Sequence, residues 1–246
     1  MRFLIGVDDT NNPKTSSTGL LTQKLGIHLQ ETGLGKLEAI SRHQLFLSTQ
    51  IPHTSDNSAI CATFEADAAK RSELEMACRS FILRELSSGA NAGFALASWG
   101  QITAEVFTWA RTAKNQVLNR QQAIQIARSA KIAITGLTGS GDGVVGALAA
   151  IGLRYRGDDG RFLWLPNLSL LKGIYSSSEV MNIAPLDRIE SSRGRAPQPG
   201  DKIEIGKWVR PVLREGRCVL LVEEVRNNPD FNWRLLGMDE VRKLSD

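Results

Sequence analysis

Only three of the 246 residues are cysteine (Cys61, Cys78, Cys218) and only three are histidine (His28, His43, His53). The cysteines form no CxxC pair and leave one unpaired in any disulfide scheme, which fits a reducing compartment. No histidine stands at ligand spacing from a cysteine, so a structural zinc site is not expected. Aromatic residues make up 6% of the chain, and the five tryptophans are scattered, which reads as core packing. No apolar run approaches the ~18 residues of a membrane span. The opening MRFLIGVDDT reaches two aspartates too early for a signal peptide, so a cytoplasmic protein without a membrane partner is expected. A phosphate loop of the form GxxxxGK followed by Ser or Thr is also missing. The first two acids are adjacent rather than alternating, which disfavours a DxDx phosphatase.

What the chain does have is enough apolar sequence, 42%, to bury a sizeable core in one large or two small domains. Its formal charge is +4, from 30 Lys and Arg against 26 Asp and Glu. That excess is local. Arg188, Arg193, Arg195, Lys202, Lys207, Arg210, Arg214 and Arg217 face only Glu190, Asp201, Glu204 and Glu215. The stretch reads either as a modest phosphate-attracting face or as an ordinary solvated surface.

Hydrophobic periodicity predicts a strand over Arg2–Val7 and a helix over Thr18–Gln30, then an apolar stretch near Leu37–Leu47. A β-rich run over Ala59–Phe64, an amphipathic helix over Ala68–Leu86 and a strand over Phe94–Ser98 follow, a compact α/β unit with the pattern of an inserted subdomain. Two helices are expected within Thr103–Ala130, the second capped by Asn119. The apolar Ile132–Ile134 then enters the glycine-dense TGLTGSGDG, which opens into a helix over Val144–Ile151. Beyond Gly152 the chain reads as β-rich, with a turn at Gly157–Gly160 and a hairpin return at Arg161–Leu165. A Ser/Gly/Pro linker spans Ser191–Gly200, and a small β appendix with a short helix from Asp239 follows. The expected class is α/β (α+β), divided as 1–57 and 101–190 for a core, 58–100 for the α/β unit and 191–246 for linker and appendix.

Asp8 and Asp9 stand where a buried strand ends, a position that presents side chains at the mouth of a sheet. Adjacent carboxylates repel unless a cation lies between them, and Mg²⁺ with phosphate oxygens satisfies that requirement. A turn role is the competing reading. Thr15, Ser16, Ser17 and Thr18 lead into a helix, where hydroxyls and free amides attract anions, one of them serving as N-cap. Gly139, Ser140, Gly141, Asp142 and Gly143 form a candidate phosphate cradle between strand and helix. Asp142 suits that loop only if it joins Asp8 and Asp9 on the metal. The competing reading is a tight crossover packed by small residues. A third polar loop holds His53, Thr54, Ser55, Asp56 and Asn57, with Asn57 placed either to orient a substrate or to form a turn.

Four of these segments, in order, carry a family resemblance. GVDDTNNPKTSSTGLL resembles the GIDDTDSP…TT opening of the archaeal agmatinylcytidine synthetase (TiaS) family, which modifies the anticodon cytidine of an isoleucine tRNA using ATP and agmatine. PHTSDNSAI is similar to that family's KTRGNGAV, NAGFAL to its PG-plus-apolar strand, and GDGVVGALAAIGL to its GxIGALAAIG. The resemblance covers Met1 to about Leu165. It implies a kinase-like core with a ferredoxin-like domain, an ATP and Mg²⁺ site at the aspartates, and roles for Asp8, Asp9, Thr10, Thr18 and Asn57 in catalysis. Asn11 replaces the third acid of DDTD, His53 the basic residue before Thr54, and Ser55 and Asp56 the family's Arg-Gly. The family's OB-fold and zinc ribbon, which grip tRNA, have no evident counterpart.

The resulting expectation is an Mg²⁺-dependent, ATP-binding phosphotransferase or ligase acting on RNA (tRNA) or on a small amine or hydroxyl acceptor. The alternatives are a non-catalytic RNA-binding or regulatory module of the same fold and, more distantly, a sugar-acid kinase.

Overall fold

The computed structural model describes residues 1–10, 17–51, 57–86, 89–191 and 195–246. The chain divides into two compact units, Met1–Arg156 and Gly157–Asp246.

In the first unit the elements follow as β1 (Arg2–Asp8), α1 (Thr18–Glu31), β2 (Lys36–Gln44), β3 (Ser58–Glu65), α2 (Arg71–Glu85), β4 (Gly93–Ser98), α3 (Ala104–Thr112), α4 (Arg120–Ser129), β5 (Ala133–Gly136) and α5 (Val144–Arg156). Its strands lie in the order β5-β4-β1-β3-β2, every neighbour antiparallel. The succession β1-α1-β2-β3-α2-β4 is therefore a complete βαββαβ motif, the ferredoxin-like arrangement. This differs from the expected organisation, in which residues 58–100 stand apart. Strands β3 and β4 flank β1 on either side, so that stretch cannot be detached from the strand carrying Asp8 without leaving β1 unpaired. Composition shows a strand-helix-strand run but not its pairing partner.

The two faces of the sheet follow from the period of two along β1. Phe3, Ile5 and Val7 point to the side covered by α1, whereas Leu4, Gly6 and Asp8 point to α5. A Cβ at Gly6 would lie 2.0 Å from the Ala147 carbonyl oxygen, which fixes that assignment. The α5 side is built from small residues: Ala59, Cys61, Ala95 and Ala97 of the sheet meet Ala147, Ala149 and Ala150 of the helix. Helix α5 is buried continuously from Gly146 to Leu153, and α3 and α4 close over it with Val106, Trp109, Ala110, Ala123 and Ala127. Asn119 caps α4 as expected, its side chain accepting from the Gln122 amide.

The second unit contains β6 (Arg161–Trp164), β7 (Gly173–Ser176), α6 (Ser177–Ile183), β8 (Arg188–Ser191), β9 (Lys202–Ile205), β10 (Val212–Arg214), β11 (Arg217–Glu224), β12 (Trp233–Leu235) and α7 (Met238–Ser245). The order is β6-β10-β11-β12-β9-β7, with β8 parallel to β11. The expected appendix is thus only part of a larger β-rich unit that already begins at Gly157. The compositional linker near Ser191 does not separate it, because β8 before the linker pairs with β11 after it. The three cysteines are buried and form no disulfide. Among the described residues no helix is long and apolar enough to cross a membrane.

The close approach of α5 yields a direct test. A Cβ at Gly93 would fall 1.9 Å from the Gly143 carbonyl carbon, whereas one at exposed Gly100 meets nothing within 4 Å. Gly93→Ala should cost at least about 3 kcal/mol in thermal or denaturant unfolding, while Gly100→Ala stays within about 0.5 kcal/mol of the parent. Equal stability of the two variants would contradict the packing described.

Candidate functional site

Register places Asp8 of β1 opposite Gly93 of β4, and Gly93 opposite Gly136 of β5. Two glycines in this row lower the end of the sheet so that the segment 137–143 folds across it. A Cβ on Gly136 would lie 2.8 Å from Gly141 Cα, and one on Gly143 would meet the Gly93 amide nitrogen and the Asp8 carbonyl oxygen at 2.5 and 2.8 Å. The glycine pattern is thereby explained first as packing.

The Asp8 side chain is seated on α5. A Cβ on Gly146 would meet Asp8 Oδ2 at 1.8 Å, so only glycine leaves room for the carboxyl. Asp8 Oδ1 accepts from the Asp9 amide at 2.8 Å. Burial pushes the Asp8 carboxyl up to about 8, opposed by that backbone hydrogen bond and assisted by the charge of Asp9. Asp9 adopts a left-handed backbone, φ 53°, which turns its side chain away from the strand path. Its carboxyl is also raised, first by burial, against a hydrogen bond from the Asn91 side chain, with the charge of Asp142 adding to the rise.

Asn91 links both halves of the site. Its side chain holds Asp9, its Oδ1 accepts from the Ser140 amide at 2.9 Å, and its carbonyl accepts from the Gly143 amide at 3.0 Å. In the sequence Asn91 is read only as part of the NAGFAL segment and is given no role of its own. Its one signal is the NAG tripeptide ahead of a buried strand, since three simultaneous hydrogen bonds to distant residues leave no local pattern.

The loop differs from an open phosphate cradle. The amides of Ser140, Gly141, Asp142, Gly143, Val144 and Val145 are all used inside the fold, by Asn91 Oδ1, the Thr138 carbonyl, Ser140 Oγ, the Asn91 carbonyl, the Gly141 carbonyl and the Asp142 carbonyl. Of the phosphate cradle expected over Gly139–Gly143, the backbone N–H groups of Ser140 to Gly143 are therefore already engaged within the fold. Gly139, at φ 55°, and Gly141, at φ 70°, supply the left-handed turns this requires. What the loop presents to solvent are side chains. Ser140 Oγ donates to Asp142 Oδ2 at 2.6 Å, and Arg120 from the first turn of α4 reaches over to donate to the Ser140 carbonyl at 2.9 Å.

Thr10 is buried and donates to Thr18 Oγ1 at 3.1 Å, tying the end of β1 to the start of α1, where Ser17 is the N-cap. Asn57 sits just before β3 at the same end of the sheet. Its Nδ2 donates to the Phe46 carbonyl at 2.8 Å and its carbonyl accepts from Leu45 and Gln44, so its amide closes the end of the β2–β3 pair. Asn11, Thr15, Ser16, His53, Thr54, Ser55, Asp56 and Arg193 lie outside the described residues.

Among the described residues no three Asp, Glu, His or Cys side chains come together as a metal-binding group. Asp142 is near enough to Asp9 for its charge to raise that carboxyl, and its own carboxylate accepts from Ser140 Oγ. The Asp8–Asp9 pair does fit a divalent cation by its chemistry, since two adjacent carboxyls driven toward the protonated form by burial are short of positive charge. Three arginines of the basic stretch of the second unit are ion-paired. Arg188 pairs with Glu190 and Glu215, Arg214 with Glu190, and Arg195 with Asp201.

No protein-family model matches the chain. Over 155 residues it is 26% identical to an uncharacterized protein of Methanocaldococcus jannaschii, covering 62% of this chain and 50% of that protein. Among solved structures it is similar to a tRNA fluorescent labeling enzyme, with 25% identity and a TM-score of 0.54 over 62% of this chain and 36% of the other. The same figures describe its similarity to TiaS in complex with its tRNA and ATP. Apo TiaS, a tRNA agmatidine synthetase, shares the fold at 24% identity and a TM-score of 0.53, with 62% of this chain and 35% of that one covered. The chain thus has structural and weak sequence homology to the TiaS family over part of its length. It spans half of the curated relative and about a third of the solved structures.

The raised carboxyl of Asp8 makes stability depend on pH with a definite sign. The folded state binds this proton more tightly than the unfolded state, so the stabilising contribution is complete below about 4 and is lost as pH rises toward 8. Asp8→Asn removes the ionisation. It should raise stability by about 1–3 kcal/mol at pH 8, allowing for the partial solvent contact of the carboxyl, and leave it unchanged at pH 4. Thermal melts of both proteins across that range would refute the assignment if the two curves stayed parallel.

Proposed function

We propose that Met1–Arg156 is the catalytic unit of an Mg²⁺-dependent, ATP-using phosphotransferase or ligase of the TiaS type, acting on RNA or on a small amine or hydroxyl acceptor. The observation carrying this reading is the Asp8–Asp9 pair, buried at the end of β1, with one carboxyl seated on a helical glycine that any other residue would close off. A purely structural turn has no need of two partly buried acids whose pKa values are both raised. The similarity to a complex of TiaS with tRNA and ATP supports ATP as the nucleotide and RNA as one acceptor class.

In this reading Asp8 and Asp9 would hold Mg²⁺, which would supply charge neutralisation at phosphate oxygens, the chief need of phosphoryl transfer. Asp8 contributes a carboxyl fixed in place by Gly146 and the Asp9 amide, and would ligate the cation as the carboxylate. Asn91 orients Asp9 through its side-chain hydrogen bond and, by also holding Ser140, keeps the loop in register with the acids. The Thr10–Thr18 hydroxyl pair lies at the adjoining mouth between β1 and α1, where an acceptor or nucleotide would meet it. Asn57, at the same sheet end, serves by closing the β2–β3 strand pair. The Ser140 and Asp142 side chains are loop groups that would face the ligand, the amides of Ser140 to Val145 being engaged within the fold. A purely RNA-binding module would rest on the basic stretch 188–217, three of whose arginines, Arg188, Arg195 and Arg214, are engaged in ion pairs, and nothing in the site favours a sugar-acid substrate.

Calorimetric titration with a non-hydrolysable ATP analogue tests the proposal. Binding should require Mg²⁺, tighten as pH rises through about 8 because a proton is displaced, and weaken at least tenfold in Asp8→Asn. Equal binding in EDTA, or equal affinity of the Asp8→Asn protein, would reject it.

A further inference from the structure

We infer that Arg120 is the phosphate-binding cation of this site, recognising the β- and γ-phosphates of the nucleotide from outside the glycine loop. The inference rests on the nucleotide reading above and goes beyond it, because nothing in the loop's sequence pattern points to α4.

Three observations meet at this residue. First, the loop has no lysine of its own, and its amides from Ser140 to Val145 are already hydrogen-bonded within the fold. A polyphosphate arriving there meets the carboxylate of Asp142 on the loop, and the amides of Ser140 to Val145 are not available to it, so a cationic side chain at the loop would add to the charge neutralisation supplied by Mg²⁺ at Asp8 and Asp9. Second, Arg120 is exposed, and its guanidinium lies across the loop. Nη1 donates to the Ser140 carbonyl at 2.9 Å, and Cζ lies 3.6 Å from the position a Cβ would take on left-handed Gly141. One N–H is used and four remain, in the planar fork that suits phosphate. Third, among the described residues Arg120 makes no ion pair, although Asp142 is only two residues from its Ser140 anchor. Asp142 is held by the Ser140 hydroxyl instead. Elsewhere in the chain most neighbouring opposite charges have paired, as at Arg188, Arg195, Arg214 and Arg234.

Placement fits the same role. Hydrogen bonds run from the Asp9 carboxyl through the Asn91 amide to Ser140, and from Ser140 to Arg120. The carboxylate pair that suits Mg²⁺ and the guanidinium that suits phosphate are thus held in register by two intervening residues. Glycine is required at 141 by the left-handed turn and by Gly136, which a Cβ would approach to 2.9 Å, and the guanidinium packs in ordinary contact over it. The residue is a binding group for the terminal phosphates rather than for the base or ribose, which predicts discrimination between ATP and AMP.

The experiment compares wild type, Arg120→Gln and Arg120→Lys for Mg²⁺-ATP and for AMP by calorimetry, with thermal melts of each protein. Arg120→Gln should lose about tenfold to a hundredfold in ATP affinity while AMP affinity and Tm stay unchanged, and Arg120→Lys should recover part of the loss. ATP binding that is equal in wild type and Arg120→Gln overturns the inference and leaves the nucleotide site standing. Parallel loss of ATP and AMP affinity also overturns it, since that outcome marks a structural role for the Arg120–Ser140 contact. Absence of any Mg²⁺-dependent ATP binding by wild type rejects the nucleotide reading itself, and the inference with it.

Discussion

The close seating of α5 on the sheet is the constraint from which the rest of the first unit follows. At Gly6, Gly93, Gly143 and Gly146 the backbone or side chain of one element occupies the space where a side chain of another would be. Such contact removes solvent from both surfaces and brings the helix near enough for its small residues to interlock with Ala59, Ala95 and Ala97. It also sets the environment of Asp8. A helix held further out would leave the carboxyl in water at an ordinary pKa, whereas this one confines it against Gly146.

Burial of the aspartates and saturation of the loop amides are two consequences of one packing arrangement. The glycines that let the loop lie flat also bring its N–H groups within reach of Asn91, Thr138 and the loop's own carbonyls. A strand-to-helix glycine loop therefore serves here less as an anion trap than as a platform, with polar side chains on its outer surface. Stability is given up at Asp8, where a group pushed toward protonation is retained, and that cost is the strongest physical sign of a ligand that offsets it.

Much of the architecture was legible from periodicity. The strand over Arg2–Val7, the helices beginning at Thr18 and Val144, and the cap at Asn119 all correspond to elements observed, because each depends on residues close in the chain. The apolar stretch near Leu37–Leu47 is strand β2, ending at Gln44. Pairing was not legible. That β1 lies between β3 and β4, making a βαββαβ motif from residues that resemble an insert, depends on contacts across more than fifty residues. The same applies to the second unit, where β8 joins β11 across a segment that looks like a linker.

By itself the sequence determined which residues could do chemistry: a pair of aspartates after a buried strand, a glycine-dense crossover, and so few cysteines and histidines that no structural zinc site is expected. Tertiary structure alone decided how those residues are used. It tied Asp142 to Ser140 beside Asp9, engaged the amides from Ser140 to Val145 in packing, and brought Asn91 and Arg120 to the loop from the segment before β4 and from α4. The reason is physical. Local pattern records what a side chain is able to donate or accept, but whether a donor is free depends on which distant groups folding has already placed against it.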